Sequence, residues 1–289
     1  MGIKIAIDAG HGSNTAGKRT PDGYREHWIN VMCAYSCEQY LKKYGIECVR
    51  IGWDDEIATD DPDVALSARQ KAVKAAVCDY SISFHANAFR SGYNSANGVE
   101  TLYHSNANVR GDSINLAQAV QRRMIQGTNQ TDRKIKPQAL SMCNCSAMGT
   151  KASVLTEVGF MTNVREADLM KTAAFCKEQG EDAAKGFLDY LKIPIGYYYN
   201  NLDYGVVFDP VYYSDKYVDL KKAFGNDSAK LFNHFCTYGM KEGRQAIGTF
   251  NVQTYKNRYP DLQKAFGDNL PAYYKHYITY GKNEGRCAV

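Results

Sequence analysis

The chain has 289 residues, of which 44% are hydrophobic and 23% are charged, a balance typical of globular proteins that fold around a core. A formal net charge of +4 over this length is too small to indicate nucleic-acid binding. The sequence shows no signal-peptide pattern and no apolar run long enough for a membrane span, so we expect synthesis in the cytoplasm. Nine cysteines, an odd number, then favour reduced thiols.

The first predicted element is a strand that ends at a histidine between two glycines. Ile3, Ile5 and Ile7 alternate with other residues ahead of the Gly-His-Gly turn at residues 10–12. Sheets of α/β proteins bind ligands at the carboxyl ends of their strands, and the imidazole of His11 would be a suitable metal ligand there. A single histidine without further ligands along the chain favours a capped surface residue instead.

A long helix is predicted next, because apolar residues recur at nearly helical spacing from Trp28 to Tyr44. Glu26 falls in the first turn of this helix, where a carboxylate ordinarily interacts with the helix dipole. His27 follows directly, and neighbouring residues on a helix point in different directions. We therefore expect His27 to lie at the surface or behind the site rather than to be a ligand.

Strands and helices alternate through the rest of the first two thirds of the chain. The further strands are predicted at residues 46–51, 80–87, 98–103 and 153–160. The helices between and after them are predicted at residues 64–77, 113–125, 164–170 and 172–191. Residues 126–149 are predicted to be irregular. The alternation predicts an α/β fold with a mostly parallel sheet flanked by helices on both faces. His85 lies at the end of one strand, and Glu157 lies inside an apolar strand, where a carboxylate is costly unless it is paired or catalytic.

The composition changes after Pro194 and Gly196, and an internal duplication follows. Residues 208–244 match residues 250–286 at a constant offset of 42, with 16 of 37 positions identical. Each unit predicts a helix, a glycine break, a second helix and a glycine turn. The predicted organisation is a domain at 1–192, a linker at 193–207 and a small helical domain of two 42-residue repeats at 208–289.

His11, Glu26 and His85 are all predicted at the same end of one sheet. Two imidazoles and one carboxylate form a common ligand set for catalytic zinc, which keeps a fourth position for water. Glu157, on a neighbouring strand, could then act as an acid and base beside that water without being a ligand. The residues alone leave open that the histidines and carboxylates are structural.

Four motifs resemble those of the zinc-dependent N-acetylmuramoyl-L-alanine amidases of the Amidase_3 type. They are residues 8–12 (Asp-Ala-Gly-His-Gly), the helix start at Glu26, residues 83–87 (Ser-Phe-His-Ala-Asn) and residues 156–163 (Thr-Glu-Val-Gly-Phe-Met-Thr-Asn). They occur in the family's order, and the resemblance covers roughly residues 1–192.

The resemblance implies that His11, Glu26 and His85 bind Zn²⁺ and that Glu157 is the catalytic acid and base. It also implies hydrolysis of the amide between the lactyl group of N-acetylmuramic acid and L-alanine in peptidoglycan. Two alternatives stay open: a zinc endopeptidase or carboxypeptidase that cuts the peptide instead, and a non-catalytic wall-binding protein.

The repeats resemble short modules appended to bacterial and phage cell-wall hydrolases. Residues 197–289 contain 14 of the 22 tyrosines, more than a small helical core needs. Exposed tyrosines stack well on sugar rings, and duplicated weak sites favour a polymeric target. We therefore expect binding to the cell wall, of the Gram-positive type, with self-association of the repeats as the alternative.

The biological setting follows from these expectations. An enzyme made in the cytoplasm would reach the wall after release or lysis, as a phage endolysin or a bacterial autolysin does. The sequence indicates no nucleic-acid partner.

Overall fold

The computed structural model describes residues 2–55, 61–193, 195–200 and 202–289. The chain separates into two compact units. One contains the residues up to Lys42 and from Ile46 to Ile193, and the other contains Lys43–Gly45 and the residues after Ile193. No helix within the described ranges is both long enough and apolar enough to cross a bilayer.

The first unit is a six-stranded sheet with helices packed against it. Its strands are β1 (Lys4–Ala9), β2 (Glu47–Ile51), β3 (Tyr80–Asn87), β4 (Val99–Tyr103), β5 (Asp132–Pro137) and β6 (Ala152–Phe160). Its helices are α1 (Glu26–Lys42), α2 (Leu66–Ala75), α3 (Ser113–Ile125), α4 (Cys145–Met148), α5 (Val164–Met170) and α6 (Ala173–Tyr190).

The strand order is β2-β1-β3-β6-β4-β5. The first four of these strands are parallel, β4 is antiparallel to β6, and β5 is parallel to β4. Because β1, β3 and β6 are adjacent and parallel, their carboxyl ends meet at one edge of the sheet. The mostly parallel sheet predicted from the sequence is what the structure contains.

The central strands of the sheet are buried, which explains why their sequences are apolar. Ile5 and Ile7 of β1, Ile82 of β3 and Val154 of β6 are completely buried. On one side of the sheet α6 packs against both α1 and α3. The approach of α6 to α1 is close: a Cβ on Gly180 would lie 2.2 Å from the carbonyl oxygen of Cys33. This packing fixes α1, whose first residue belongs to the site described below.

Strand β5 corrects the prediction that residues 126–149 are irregular. Its sequence, Asp-Arg-Lys-Ile-Lys-Pro, has one apolar residue, Ile135, among charged ones. Such a strand lacks the apolar pattern used to recognise strands, because it lies at the edge of the sheet and pairs only with β4 among the described residues.

The second unit contains a short hairpin, six short α-helices, a 3-10 helix at Tyr204–Val206 and π-helices at Phe235–Gly239 and Tyr277–Gly281. The hairpin strands are β7 (Tyr198–Tyr199) and β8 (Leu202–Asp203). The helices are α7 (Pro210–Lys216), α8 (Val218–Phe224), α9 (Ser228–His234), α10 (Val252–Arg258), α11 (Pro260–Phe266) and α12 (Leu270–His276). Each repeat therefore has three α-helices, and the prediction of two was wrong. Tyr217 and Tyr259 end one helix and begin the next in an extended conformation (φ −120° and −121°), which divides the predicted long helix.

The two repeats share their internal contacts at the 42-residue offset. Tyr213 Oη lies 3.1 Å from His234 Nδ1, and Tyr255 Oη lies 3.0 Å from His276 Nδ1. An arginine after each final helix turn pairs with an aspartate of the middle helix; the pairs are Arg244–Asp219 at 2.8 Å and Arg286–Asp261 at 2.9 Å. The duplicated histidines are thus part of the packing of each repeat.

The segment predicted as a linker contains regular structure. Besides the hairpin, it contains Tyr204, which is buried in the core of the second unit. Pro194, used to predict the break, lies outside the described residues. The boundaries at 192, 193–207 and 208 remain predictions, because packing into compact units does not establish which segments fold independently.

Candidate metal centre

The two predicted ligand histidines come from adjacent parallel strands. His11 is the second residue after the end of β1, and His85 lies near the end of β3. Their rings are 4.8 Å apart between centroids and nearly perpendicular, at 86°. The prediction that parallel strands would bring them together is confirmed by this geometry.

Glu26 lies between the histidines. It is the first residue of α1, as predicted, and its carboxylate is buried. Glu26 Oε1 lies 3.3 Å from His11 Nε2 and 3.1 Å from His85 Nδ1. The same oxygen accepts a hydrogen bond from the backbone N–H of Ala86 at 3.2 Å. One potential ligand atom from each of the three residues lies within 4.8 Å of the others.

The turn after β1 is shaped to receive the ring of His85. A Cβ on Gly10 would lie 2.2 Å from His85 Cε1, so no other residue fits there without moving the ring. His11 itself has a φ of 63°, a left-handed conformation that is uncommon outside glycine. Backbone strain of this kind persists only where surrounding contacts hold it.

Buried Arg69 on α2 supplies such contacts. Its guanidinium donates hydrogen bonds to the carbonyl oxygens of Ala9 at 2.6 Å and His11 at 2.5 Å, and it pairs with Asp8 Oδ1 at 2.7 Å. Asp8 also accepts a hydrogen bond from Ser83 Oγ. Arg69 was not predicted from the sequence. The available signal was its position four residues before Val73, because this spacing places both side chains on the same face of the helix. The structure shows that both are buried.

His27 is not at the surface, which corrects one part of its prediction. It is buried, and its Nδ1–H donates to the carbonyl oxygen of Gly10 at 2.9 Å. Its Nε2 lies 3.0 Å from Asp61 Oδ2. His27 therefore stabilises the turn at Gly10 and does not join the ligand cluster. This agrees with the other part of the prediction, that His27 is not a ligand.

Glu157 lies beside the cluster. It is paired in register with His85 across the parallel strands β3 and β6, so both side chains leave the same face of the sheet. Its Oε2 is buried and has no hydrogen-bond partner among the described residues. Buried polar atoms normally have a partner, so Oε2 is an exception among the described residues.

The carboxylates of Glu157 and Glu26 differ in their electrostatics. Burial, reinforced by the charges of Glu26 and Glu100, raises the pKa of Glu157 to about 8. Burial also disfavours ionisation of Glu26, but hydrogen bonds from His11 and His85 hold its pKa well below the usual range. Burial lowers the pKa of His85, and the contact with Glu26 outweighs this and raises it overall. Two carboxyl groups with opposite shifts suit different roles, an anionic ligand and a proton carrier.

Comparison with known protein families gives a match over residues 5–189 to Amidase_3, described as N-acetylmuramoyl-L-alanine amidase. The chain belongs to this family. Peptidoglycan is the substrate of such amidases, so the resemblance inferred from the four motifs is confirmed at the level of family and substrate. The match ends before the repeats.

Individual relatives agree with the family match. Protein YqiI of Bacillus subtilis (strain 168) is 29% identical over 189 residues, which make up 65% of this chain and 85% of YqiI. The N-acetylmuramoyl-L-alanine amidase LytC of the same strain is 28% identical over 192 residues, 66% of this chain but only 36% of LytC.

A solved structure supports the fold. The N-acetylmuramoyl-L-alanine amidase from Clostridium difficile 630 superposes with a TM-score of 0.58 at 26% identity, covering 66% of this chain and 97% of that chain. The predicted α/β fold class is thereby confirmed. The structure brings His11, Glu26, His85 and Glu157 together, and their individual roles remain predictions.

Proposed function

We propose that the chain hydrolyses the amide bond between the lactyl group of N-acetylmuramic acid and L-alanine in peptidoglycan, with Zn²⁺ held by His11, Glu26 and His85. The observation that carries the proposal is the convergence of these three donors, with the orphan carboxyl oxygen of Glu157 beside them. Family membership supports the bond that is cut.

The donor set fits zinc. Neutral imidazole nitrogens and a carboxylate oxygen are ligands that zinc accepts, and three protein ligands leave a position open for water. The low pKa of Glu26 keeps this carboxylate ionised, as a ligand must be. When bound, zinc would polarise the substrate carbonyl and lower the pKa of water at the site.

Glu157 would move the proton. Its carboxylate accepts a proton from the attacking water and delivers it to the nitrogen of L-alanine, so the C–N bond breaks to give a lactyl carboxylic acid and a free amine; the second water proton then passes from the acid to the amine. Burial suits this role, because a pKa raised to about 8 makes both the ionised and the protonated form accessible near neutral pH. The hydrogen-bonding capacity of Oε2 is not used by the described protein residues, which leaves it available to the substrate.

The repeats would hold the enzyme on the wall. Tyr238 and Tyr280 occupy equivalent positions in the two repeats and are 56% and 58% exposed. Each ring lies beside the repeat's histidine, with centroids 5.5 Å apart for His234–Tyr238 and 5.7 Å apart for His276–Tyr280. A fixed, exposed ring can stack on a sugar, and two copies increase the avidity for a polymer. Self-association through these rings is the competing outcome.

We also propose that the enzyme acts after release or lysis, as a phage endolysin or a bacterial autolysin on a Gram-positive type of wall. Its substrate lies outside the cytoplasm, so the chain must leave the compartment of its synthesis before it can act. Fractionation of producing cells tests this: the chain should remain in the cytosolic fraction until lysis begins.

The central experiment digests purified walls and identifies the new ends by mass spectrometry. Free L-alanine amino termini on intact glycans support the amidase. New termini inside the stem or cross-bridge would instead show an endopeptidase or carboxypeptidase, and no new termini would leave a wall-binding protein. Zinc content and turbidity loss are measured before and after chelation, with zinc added back as the control.

Replacing Glu157 separates its role from that of the ligands. Glu157→Gln should abolish new L-alanine termini while zinc content and pelleting with walls stay at wild-type levels. His85→Ala should instead lose zinc. Lysis that survives Glu157→Gln removes Glu157 from the mechanism.

A further inference from the structure

Three acidic or basic side chains form a row across the sheet, starting at the metal centre. His85 on β3 is in register with Glu157 on β6, and Glu157 is in register with Glu100 on β4. Side chains of paired residues leave the same face, so Glu100 continues the row away from the ligand cluster. At about 4.8 Å between strands, Glu100 is roughly 10 Å from His85 measured between backbones.

The next strand, β5, adds cations to this row through a bulge. Val99 pairs with Asp132 and Thr101 pairs with Ile135, so two residues of β5, at positions 133 and 134, oppose the single residue Glu100. Lys134 has a φ of 67°. Bulges next to active sites commonly redirect a side chain, and this one turns Arg133 toward Glu100 while Lys134 pairs with Asp132 at 2.5 Å.

Glu100 is fully engaged. Arg133 Nε lies 2.6 Å and Lys136 Nζ 2.5 Å from Glu100 Oε2, and Asn87 Nδ2 donates to Oε1 at 3.0 Å. Two cations thus share one buried carboxylate, and the cluster has a net charge of +1. A purely structural ion pair would need only one of them.

The outer side of the cluster is open. The side chains of Arg133 and Lys136 are 33% and 41% exposed. The Arg133 guanidinium lies over the ring of Phe160, 4.8 Å from its centroid, which fixes its plane. Within the described part of the chain, neither terminal nitrogen of Arg133 has a hydrogen-bond partner. A held guanidinium with both terminal nitrogens free matches the two oxygens of a carboxylate.

We propose that Arg133 and Lys136 form a subsite for a free carboxylate on the second residue of the stem peptide, next to L-alanine. The inference rests on the proposed amidase function. An extended peptide spans about 3.5 Å per residue, so a carboxylate one residue beyond L-alanine lies roughly 7 Å from the scissile nitrogen. The scissile nitrogen would lie beside Glu157, from which the row runs about 4.8 Å to Glu100 and about 10 Å to β5 between backbones, so a carboxylate at this reach falls between Glu100 and the strand that carries the two cations. Glu100 orients both cations and leaves the charge of one uncompensated.

The test uses two synthetic muramoyl peptides that differ only at the second stem residue, which carries either the free carboxylate or its carboxamide. The wild-type enzyme should cleave the carboxylate substrate with a kcat/KM about 10- to 100-fold higher, the range expected for a charge-assisted contact. Arg133→Gln and Lys136→Gln should each reduce that preference through KM, with a clearly larger loss on the carboxylate substrate than on the carboxamide substrate, which lacks the contacted charge.

Lys134→Gln is the matched control, because it removes a neighbouring cation of the same bulge that does not contact Glu100. It should leave the preference unchanged. Activity on the carboxamide substrate shows in the same assay that each variant is folded, and Arg133→Lys should restore part of the preference.

Equal wild-type rates on the two substrates would overturn the subsite while leaving the amidase function intact. Equal losses on both substrates in the Arg133 and Lys136 variants, or a changed preference in Lys134→Gln, would overturn it as well. Failure of the wild-type enzyme to cut either substrate at L-alanine would overturn the amidase function itself and the subsite with it.

Discussion

The guanidinium of Arg69 donates a hydrogen bond to the carbonyl oxygen of His11 at 2.5 Å. Through this contact, helix α2 holds the backbone of the candidate ligand His11 in a left-handed conformation that few residues other than glycine adopt. The contact makes the position of the imidazole depend on α2, which contributes no ligand.

Arg69→Lys should weaken zinc binding. Lysine keeps the charge but cannot serve Asp8, Ala9 and His11 at once, because it lacks the planar fork of donors. Changes to groups that support a ligand typically cost 10- to 100-fold in metal affinity, and we expect a loss of about that size. Competition with a chromophoric chelator measures it. Arg122→Lys, which alters an exposed pair with Asp189, is the control and should leave affinity unchanged.

Gly10→Ala should displace the ring of His85. The added methyl group would lie 2.2 Å from His85 Cε1, closer than any van der Waals contact allows. We expect loss of stoichiometric zinc and of wall hydrolysis, with the circular dichroism spectrum of the folded protein retained. Gly92→Ala, where a Cβ meets nothing within 4 Å, controls for the substitution itself. A Gly10→Ala protein that binds zinc as tightly as wild type would contradict the placement of His85.

The stability of the zinc-free protein should depend on pH through Glu157. Burial raises the pKa of this carboxyl to about 8, well above the ordinary value of 4.5. Between these values the folded state holds a proton that the unfolded state has released, so the free energy of unfolding falls as pH rises from about 4.5 to about 8. Below about pH 4.5 the carboxyl group of Glu157 is protonated in both the folded and the unfolded state, so it no longer makes the free energy of unfolding depend on pH.

Glu157→Gln removes this titration. Denaturant unfolding of both zinc-free proteins across pH 4 to 9 should therefore show the wild type losing stability relative to the variant over that window, by at most about 1.4 kcal/mol per pH unit. A difference that stays constant with pH would show that Glu157 has an ordinary pKa.

The double variant Tyr238→Ala, Tyr280→Ala should reduce pelleting of the protein with purified walls while its thermal unfolding midpoint stays near that of wild type. Both rings are more than half exposed, so their removal costs little packing. Each single variant should have a smaller effect, because two weak sites on one chain reinforce each other. Val211→Ala with Val218→Ala, which removes other exposed apolar side chains of the same unit, is the control. If instead the double variant changes sedimentation in solution and not wall binding, the rings mediate self-association.

Local pattern was sufficient for most of the sheet unit. Alternating or continuous apolar runs predicted β1, β3 and β6, and helical spacing predicted α3 with the bounds that the structure has, Ser113–Ile125. Edge strand β5 was missed because an edge position needs no apolar face, and its charged residues mimic a loop. The repeats were found from their duplication, but their third helix was not, since Tyr217 looks compatible with a continuous helix in sequence.

By itself, the sequence determined the order of chemical groups along the chain: a histidine after one strand, a glutamate at a helix start, a histidine near the end of another strand and a carboxylate within an apolar strand. Motif order also determined the family. Only the tertiary structure decided which groups meet, because register and strand order are set by long-range pairing. The pairing of His85 with Glu157 and of Glu157 with Glu100, and the reach of Arg69 to His11, join residues separated by more than fifty positions. Local spacing carries no information about such contacts.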